Sequence, residues 1–317
     1  MATLKELTNV QERLTGGHRM CAGCGAPMVA RWVMKAVKPE DHAVVGNATG
    51  CLEVSTGLYP YSAWTDSYIH TAFENVGASV SGVEAAFKAM KARGDVKGEY
   101  KFIAFGGDGG TYDIGFQSLS GAMERGHDML YVCYDNGAYM NTGIQRSSAT
   151  PAGADTTTTP QGSHSIGKSQ YRKDLAKIMV GHNLPYVAQT VPVMPGTKYM
   201  MDLYNKSDRA INEFKGATFL NVLAPCPRGW RCDTATELDL IKLAVETCYW
   251  PLYEVVNGEY KLNYKPKEKL PVEEWMKPQG RFKHLFQSEE GKAKIAEIQA
   301  EVDKRWNELL FLCGETE

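Results

Sequence analysis

The chain lacks any apolar run of about 18 residues, the length a membrane-spanning helix requires. It also lacks a dominant charge. Its 35 Lys and Arg stand against 37 Asp and Glu, a net charge of −2, so no general attraction to nucleic acid or to a membrane surface is indicated. The opening stretch, MATLKELTNVQERL, reads as a polar helix without the apolar core of a signal peptide. Together these absences point to the cytoplasm. No internal repeat is visible. Eight cysteines in a cytoplasmic chain of 317 residues argue against a disulfide framework and bring metal or redox chemistry forward for some of them.

What is present is an alternation of short apolar strands and amphipathic helices, the pattern of a parallel α/β sheet. Helices are expected over Ala26–Val37, Phe73–Lys91, Ile114–Glu124, Asp174–His182, Lys198–Phe214 and Leu238–Thr247. Strands are expected over His42–Gly46, Tyr100–Phe105, Met129–Tyr134, Tyr186–Val191 and Ala217–Val222. The Phe73–Lys91 helix is rich in small residues, which suits close packing against a neighbour or a partner subunit. Arg146–Ser165 reads as a long, Thr-rich loop of the length that is usually functional or disordered. From Pro251 the texture changes, and Tyr260–Lys277 reads as an extended arm before a closing amphipathic helix, Gly291–Phe311. The expectation is a doubly wound, mostly parallel α/β domain over residues 1–250 with a C-terminal extension over 251–317.

Two segments carry the clearest chemistry. GGDGGTYDIG (Gly106–Gly115) follows one apolar strand, and YDNGAYMNTG (Tyr134–Gly143) closes another. Two strand ends in one parallel sheet would set Asp108 and Asn136 side by side. Two oxygen side chains with backbone carbonyls suit Mg²⁺, which keeps part of its shell for phosphate. Glycines let backbone approach a phosphate closely, and the helix N-terminus that follows favours the anion. The spacing of GDG and the later Asn resembles the thiamine diphosphate fingerprint, with Gly107, Gly109 and Gly110 shaping the turn.

Four cysteines sit where loops leave this sheet: Cys21 and Cys24 in CAGCG, Cys51 in NATGC and Cys226 in LAPCPRGW. Ligand sites of open α/β folds gather at that carboxyl edge. Four thiolates would close a site for a [4Fe–4S] cluster or for zinc, and spacing favours neither metal. CxxC alone also reads as a dithiol redox pair. Cys133, mid-strand, and Cys248, late in a helix, read as core, while Cys232 and Cys313 carry no motif. A thiamine site beside an iron–sulfur site narrows the function, because that cofactor takes up the electrons of decarboxylating a 2-oxo acid and a cluster removes them singly. A non-redox thiamine decarboxylase needs no cluster.

In CAGCGAP, NATGC, YPYSAW, IHTAFENVGASVSG, GGDGGTYDIG, DNGAYMNTGIQRSSATP and APCPRGW, taken in order, the chain resembles the 2-oxoacid:ferredoxin oxidoreductases, specifically the β subunit of the pyruvate type. The resemblance runs from Cys21 to Trp230. It implies that Cys21, Cys24, Cys51 and Cys226 hold the [4Fe–4S] cluster nearest the thiamine. It implies Mg²⁺ ligation by Asp108, Asn136 and the carbonyl of Ala138, and a substrate-facing role for Asn141. Thr49 and His70 are further expected cofactor contacts. The implied reaction converts a 2-oxo acid, coenzyme A and oxidised ferredoxin to acyl-CoA, CO₂ and reduced ferredoxin. The implied assembly includes an α subunit and γ/δ-type subunits that carry further clusters.

Two features qualify the likeness. Where pyruvate enzymes carry a pattern like AW-x-x-PWIH, this chain has Ser67 and Tyr68 in place of Pro and Trp, which leaves room for oxalate, phenylglyoxylate or a branched-chain acid. Thiamine activation also needs a carboxylate on the aminopyrimidine ring. Glu53, Glu74 and Glu84 are the candidates here, none in an activating motif, and the resemblance assigns that Glu to the α subunit. His18 is a candidate second donor near the cofactor segments. Arg146 and Lys168, flanking the Thr-rich loop, are candidates to meet coenzyme A phosphates. A non-oxidative thiamine lyase with structural zinc is the alternative of another class.

Overall fold

The computed structural model describes residues 3–197 and 199–315. Its strands are β1 (His42–Ala48), β2 (Ser67–Thr71), β3 (Tyr100–Gly107), β4 (Leu130–Asp135), β5 (Gln161–Gly162), β6 (Ser165–Ile166), β7 (Tyr186–Thr190), β8 (Thr218–Leu223), β9 (Tyr253–Val256) and β10 (Glu259–Leu262). Its helices are α1 (Leu4–Leu7), α2 (Gly25–Lys35), α3 (Cys51–Thr56), α4 (Val76–Arg93), α5 (Phe116–Glu124), α6 (Leu175–Val180), α7 (Asp202–Asp208), α8 (Pro227–Trp230), α9 (Glu237–Glu246), α10 (Val272–Met276) and α11 (Glu289–Leu312). No helix among the described residues is long and apolar enough to cross a membrane.

An 8-stranded sheet in the order β10-β9-β7-β8-β4-β3-β1-β2 forms the centre. All neighbours from β7 to β2 are parallel, and β9 and β10 add antiparallel at one edge. From β1 the chain steps outward to β2, then returns to β3 on the other side of β1. The carboxyl ends of β1 and β3 therefore flank the crevice where the winding reverses, the usual ligand position in such sheets.

Side chains alternate across the strands and feed a core on each face. On β4, Leu130, Val132 and Tyr134 enter one core, and Tyr131 and Cys133 enter the other. Burial on both faces explains why these strands read as continuous apolar runs. Helix α4 starts after Asn75, ends at Gly94 in the left-handed conformation, and buries Val76, Gly77, Val80, Ser81 and Glu84, a stripe at helical spacing. Helix α11 is capped by the Ser288 hydroxyl, which accepts from the Gly291 N–H, and buries Ile295, Ile298, Val302, Trp306 and Leu309.

Several elements differ from expectation for identifiable reasons. The polar N-terminal stretch, of which Met1 and Ala2 lie outside the described residues, forms only the short α1, and Leu14 instead bridges to Trp64. Helix α7 ends in a π-helical turn, Arg209–Glu213; the expected start at Lys198 lies outside the described residues. Cys248 sits past the end of α9 at φ 56, buried. The charged stretch after Pro251 supplies β9 and β10, and the closing helix packs Ile295 to Leu309 into the main core. Lys and Glu on an edge strand discourage further pairing, which makes such a strand look like surface in sequence. The Thr-rich loop is folded in place: Ser147–Ala154 is buried, and Thr156 bonds to Thr159.

The approach of α4 to β1 depends on Gly46. A Cβ there would lie 2.3 Å from Cγ2 of Val80. Gly46→Ala is expected to destabilise the chain by roughly 1–3 kcal/mol through overpacking, read as a lower thermal midpoint. Adding Val80→Ala should return part of that loss; strictly additive losses would refute this seating of the helix.

Candidate functional site

The site forms where β1, β3, β4 and β8 end. After β3 comes Asp108, then a π-helical turn over Gly109–Asp113, a distortion common at functional positions. The turn is tight against Tyr139, whose hydroxyl donates to the Gly109 carbonyl at 2.8 Å. A Cβ on Gly109 would lie 2.3 Å from the Tyr139 ring, so only glycine fits.

Asp108 is fully buried. It accepts from the Asn136 N–H at 3.2 Å and from the Ser147 hydroxyl. Burial first, and the nearby Asp135 second, push its carboxyl up to about 8. Asp135, next along β4, accepts from the Tyr112 hydroxyl at 2.7 Å and from the Arg172 guanidinium, which also stacks over Trp250 at 4.3 Å. Tyr112 is held in turn by the Asn221 amide at 2.9 Å.

The amide end of Asn136 faces Asp108 Oδ1 at 2.9 Å and the Ala138 carbonyl at 2.8 Å. With nitrogen on that side, the amide donates to both. With oxygen there, it faces the Asp108 carboxyl and the Ala138 carbonyl, so three oxygens meet. Mg²⁺–O bonds of 2.0–2.1 Å place adjacent octahedral ligands about 2.9 Å apart. The donor set and its spacing therefore fit a magnesium ion. Thr49, Gly107, Gly109, Gly110 and Asn141 line the same pocket as these three residues, with Phe73, Tyr134 and Tyr139. His70 is half-exposed beside it, 3.0 Å from the Thr49 hydroxyl and 3.6 Å from Glu53.

The cysteine segments converge on the neighbouring ground. The Gly25 N–H donates to the Pro225 carbonyl at 2.9 Å, which docks the CAGCG loop against the segment that precedes Cys226. Cys24 precedes α2, Cys51 opens α3, and Cys226 caps α8, its sulfur accepting from the Gly229 N–H at 3.4 Å. Burial pushes the Cys24 and Cys51 thiols up to about 12, and both feel the charges of Cys21 and Cys226. Burial likewise raises Cys226. Cys51 also feels Asp108, so the thiols and Asp108 are neighbours. Among the described residues no group of three or more His, Cys, Asp or Glu side chains is arranged to hold a metal ion.

Other candidates separate from the site. Lys168 is fully buried and donates to the carbonyls of Ser148 and Thr150, so it clamps the Thr-rich loop and cannot meet a phosphate. Burial lowers its amine to about 7. Glu84 is buried against His127 and the N–H of Asp128, at the amino edge of the sheet. Tyr68, where the sequence departs from the pyruvate pattern, stacks on Trp64 at 5.5 Å and fills the space beside Gly57. His18 accepts from the Met20 N–H at 3.4 Å. Sequence reasoning missed Ser147, Asp135, Arg172, Tyr112 and Tyr139. Ser147, Asp135, Tyr112 and Tyr139 lie inside quoted motifs, whereas Arg172 lies in none.

Residues 45–222 match a family model described as the C-terminal TPP-binding domain of thiamine pyrophosphate enzymes. The pyruvate synthase subunit PorB of Thermotoga maritima is 51% identical over 94% of this chain and 91% of its own length. This chain belongs to the 2-oxoacid:ferredoxin oxidoreductases, as a β subunit of the pyruvate type. The PorB of Methanosarcina barkeri is 49% identical over 93% of this chain and 95% of its own. The ketoisovalerate oxidoreductase subunit VorB of Pyrococcus furiosus is 43% identical over 94% and 93%. A solved 2-oxoglutarate:ferredoxin oxidoreductase from Magnetococcus marinus, with 2-oxoglutarate, coenzyme A and succinyl-CoA bound, shares the fold at a TM-score of 0.53 and 20% identity, covering 71% of this chain and 76% of that one. The PorB-type chain is thus one subunit of an oxidoreductase built from several.

The raised carboxyl of Asp108 sets a pH dependence. An acid that holds its proton more tightly folded than unfolded makes the metal-free chain lose stability as pH rises from about 4 to about 8. A metal must displace that proton. Apparent Mg²⁺ affinity is therefore expected to rise about tenfold per pH unit up to about 8 and then level. Calorimetry in buffers of different ionisation enthalpy should detect the released proton at pH 7 in wild type and not in Asp108→Asn.

Proposed function

We propose that this PorB-type chain holds thiamine diphosphate, Mg²⁺ and a [4Fe–4S] cluster, and that its complex oxidatively decarboxylates a 2-oxo acid, with pyruvate as the expected substrate. The products are acyl-CoA, CO₂ and electrons delivered singly to ferredoxin. The observation that carries the reading is the convergence of Asp108, Asn136 and the Ala138 carbonyl at magnesium spacing beside four neighbouring thiols. When bound, the thiamine would supply the carbon centre that accepts the electrons of decarboxylation, and the cluster would take them one at a time.

This chain's own residues would do the holding and orienting. Asp108 and Asn136 with the Ala138 carbonyl grip the metal, and the glycines of the π-helical turn let a diphosphate lie against backbone. Asn141, exposed at the pocket rim, would face the substrate, as the resemblance implies. Thr49 positions His70 at that rim. The thiols of Cys24 and Cys51 resist ionisation in the bare chain and become ligands only against a strongly cationic iron core. The family resemblance assigns the activating glutamate to the α subunit; in this chain Glu84 lies at the amino edge of the sheet, away from the pocket, and Glu53 lies 3.6 Å from His70. Coenzyme A and the γ/δ-type subunits complete the cycle outside this chain.

A second reading, a branched-chain or other specialist acid, is favoured by Ser67 and Tyr68 and by the likeness to VorB. The co-purified complex, kept anaerobic, is expected to be brown and to gain about four irons from each copy of this chain. Cys226→Ser should lose that iron, and Asp108→Ala should abolish Mg²⁺-dependent thiamine diphosphate binding. Reduction of a viologen dye should be fastest with pyruvate and should require coenzyme A. Colourless protein with stoichiometric zinc would sink the redox reading, and a preference for 2-oxoisovalerate, oxalate or phenylglyoxylate would replace pyruvate.

A further inference from the structure

Tyr134 is a buried polar side chain at this site that the proposed chemistry does not use. It is 1% exposed, and its hydroxyl has no hydrogen-bond partner at normal geometry. Alternation along β4 sends it to the face where Leu52 and Cys24 pack, while Asp135 goes to the opposite face. The hydroxyl reaches the crevice between β1 and β3. It lies 2.7 Å from where a Cβ on Gly50 would stand and 3.4 Å from the same position on Gly107. Gly50 immediately precedes Cys51, and Cys51 and Tyr134 line the same pocket. The Tyr134 O–H has no acceptor in this pocket, so its proton is free to donate.

We propose that the Tyr134 hydroxyl donates a hydrogen bond to sulfur at the Cys51 corner of the iron–sulfur cluster, and so raises that cluster's reduction potential. The inference rests on the cluster reading above. A hydrogen bond draws electron density from sulfur and favours the reduced form. A diphosphate oxygen near Gly107 is the competing acceptor. Sulfur is favoured because Tyr134 shares its face with the cysteine segments. Tyr134 would be a positioning and tuning residue, touching the cluster but no substrate.

The test is Tyr134→Phe in the anaerobically purified complex, followed by a redox titration read by electron paramagnetic resonance. The relevant cluster is the one whose signal Cys226→Ser removes. Tyr131→Phe is the control, since that hydroxyl already meets Thr111 at 3.1 Å and lies on the other face. Tyr134→Phe is expected to keep its iron and its thiamine diphosphate affinity while its cluster becomes harder to reduce; Tyr131→Phe should not shift. An unchanged potential with full iron overturns the proposal. So does weakened thiamine diphosphate binding at unchanged potential, which would place the proton on the diphosphate. If the variant fails to load iron, electron–nuclear double resonance of the wild-type reduced cluster in H₂O and D₂O decides. A strongly coupled exchangeable proton supports the bond, and its absence overturns it. Wild-type complex without iron would instead defeat the cluster reading itself.

Discussion

A carboxylate removed from water is unstable unless something answers its charge, and Asp108 is such a group. It sits at the end of a central strand with a second acid, Asp135, close by on the next strand. The surroundings divide the two. Asp135 is neutralised by Arg172 and steadied by Tyr112, which takes one negative charge out of the account. Asp108 receives only hydroxyl and amide donors, from Ser147 and Asn136, and these leave its charge unbalanced. The bare chain resolves this by keeping a proton there. A divalent cation resolves it better, and the neighbouring carbonyl and amide are spaced to share one.

The parts of this arrangement legible in sequence were those written locally. Asp108, Asn136 and Ala138 each belong to a short motif at the end of an apolar run; Cys51 and Cys226 lie beside glycine or proline where a strand stops, and Cys21 and Cys24 share the glycine-containing CAGCG loop before α2. Strand alternation with helices was enough for the doubly wound sheet. Arg172 and Tyr134 were not legible, because their meaning comes from packing between distant segments and from which face of a strand a residue enters. Lys168 shows the opposite failure. A lysine near a run of threonines reads as surface, yet the loop folds back and supplies two carbonyls to its amine. Within the expected arm, Tyr260–Lys277, the edge strand β10 misled for a compositional reason: charged residues suit the open side of an edge strand as well as they suit a loose arm.

The two faces of β4 separate two kinds of environment within a single strand. Asp135 enters the side where Arg172, Tyr112 and Trp250 form a polar and aromatic brace. Tyr134 enters the side that carries α2 and α3, with the cysteines at their starts. One residue step along the backbone therefore moves from the ground beneath Asp108 and Asn136 to the ground beneath the thiols. In the proposed chemistry, such proximity would shorten the path an electron takes, and it requires no flexible element.

The contact between the Gly25 N–H and the Pro225 carbonyl has a consequence for how the protein is made. It joins segments from near the start and the last third of the chain, a closure with a large entropic cost until the intervening sheet exists. During synthesis, the CAGCG loop emerges early and waits with two thiols while β1, β3, β4 and β8 are still to be made. The fourth cysteine arrives only after β8 leaves the ribosome. On the cluster reading proposed above, iron delivered before that moment would meet three of its four thiols, so maturation of this chain would be ordered by translation itself, with the sheet as its clock.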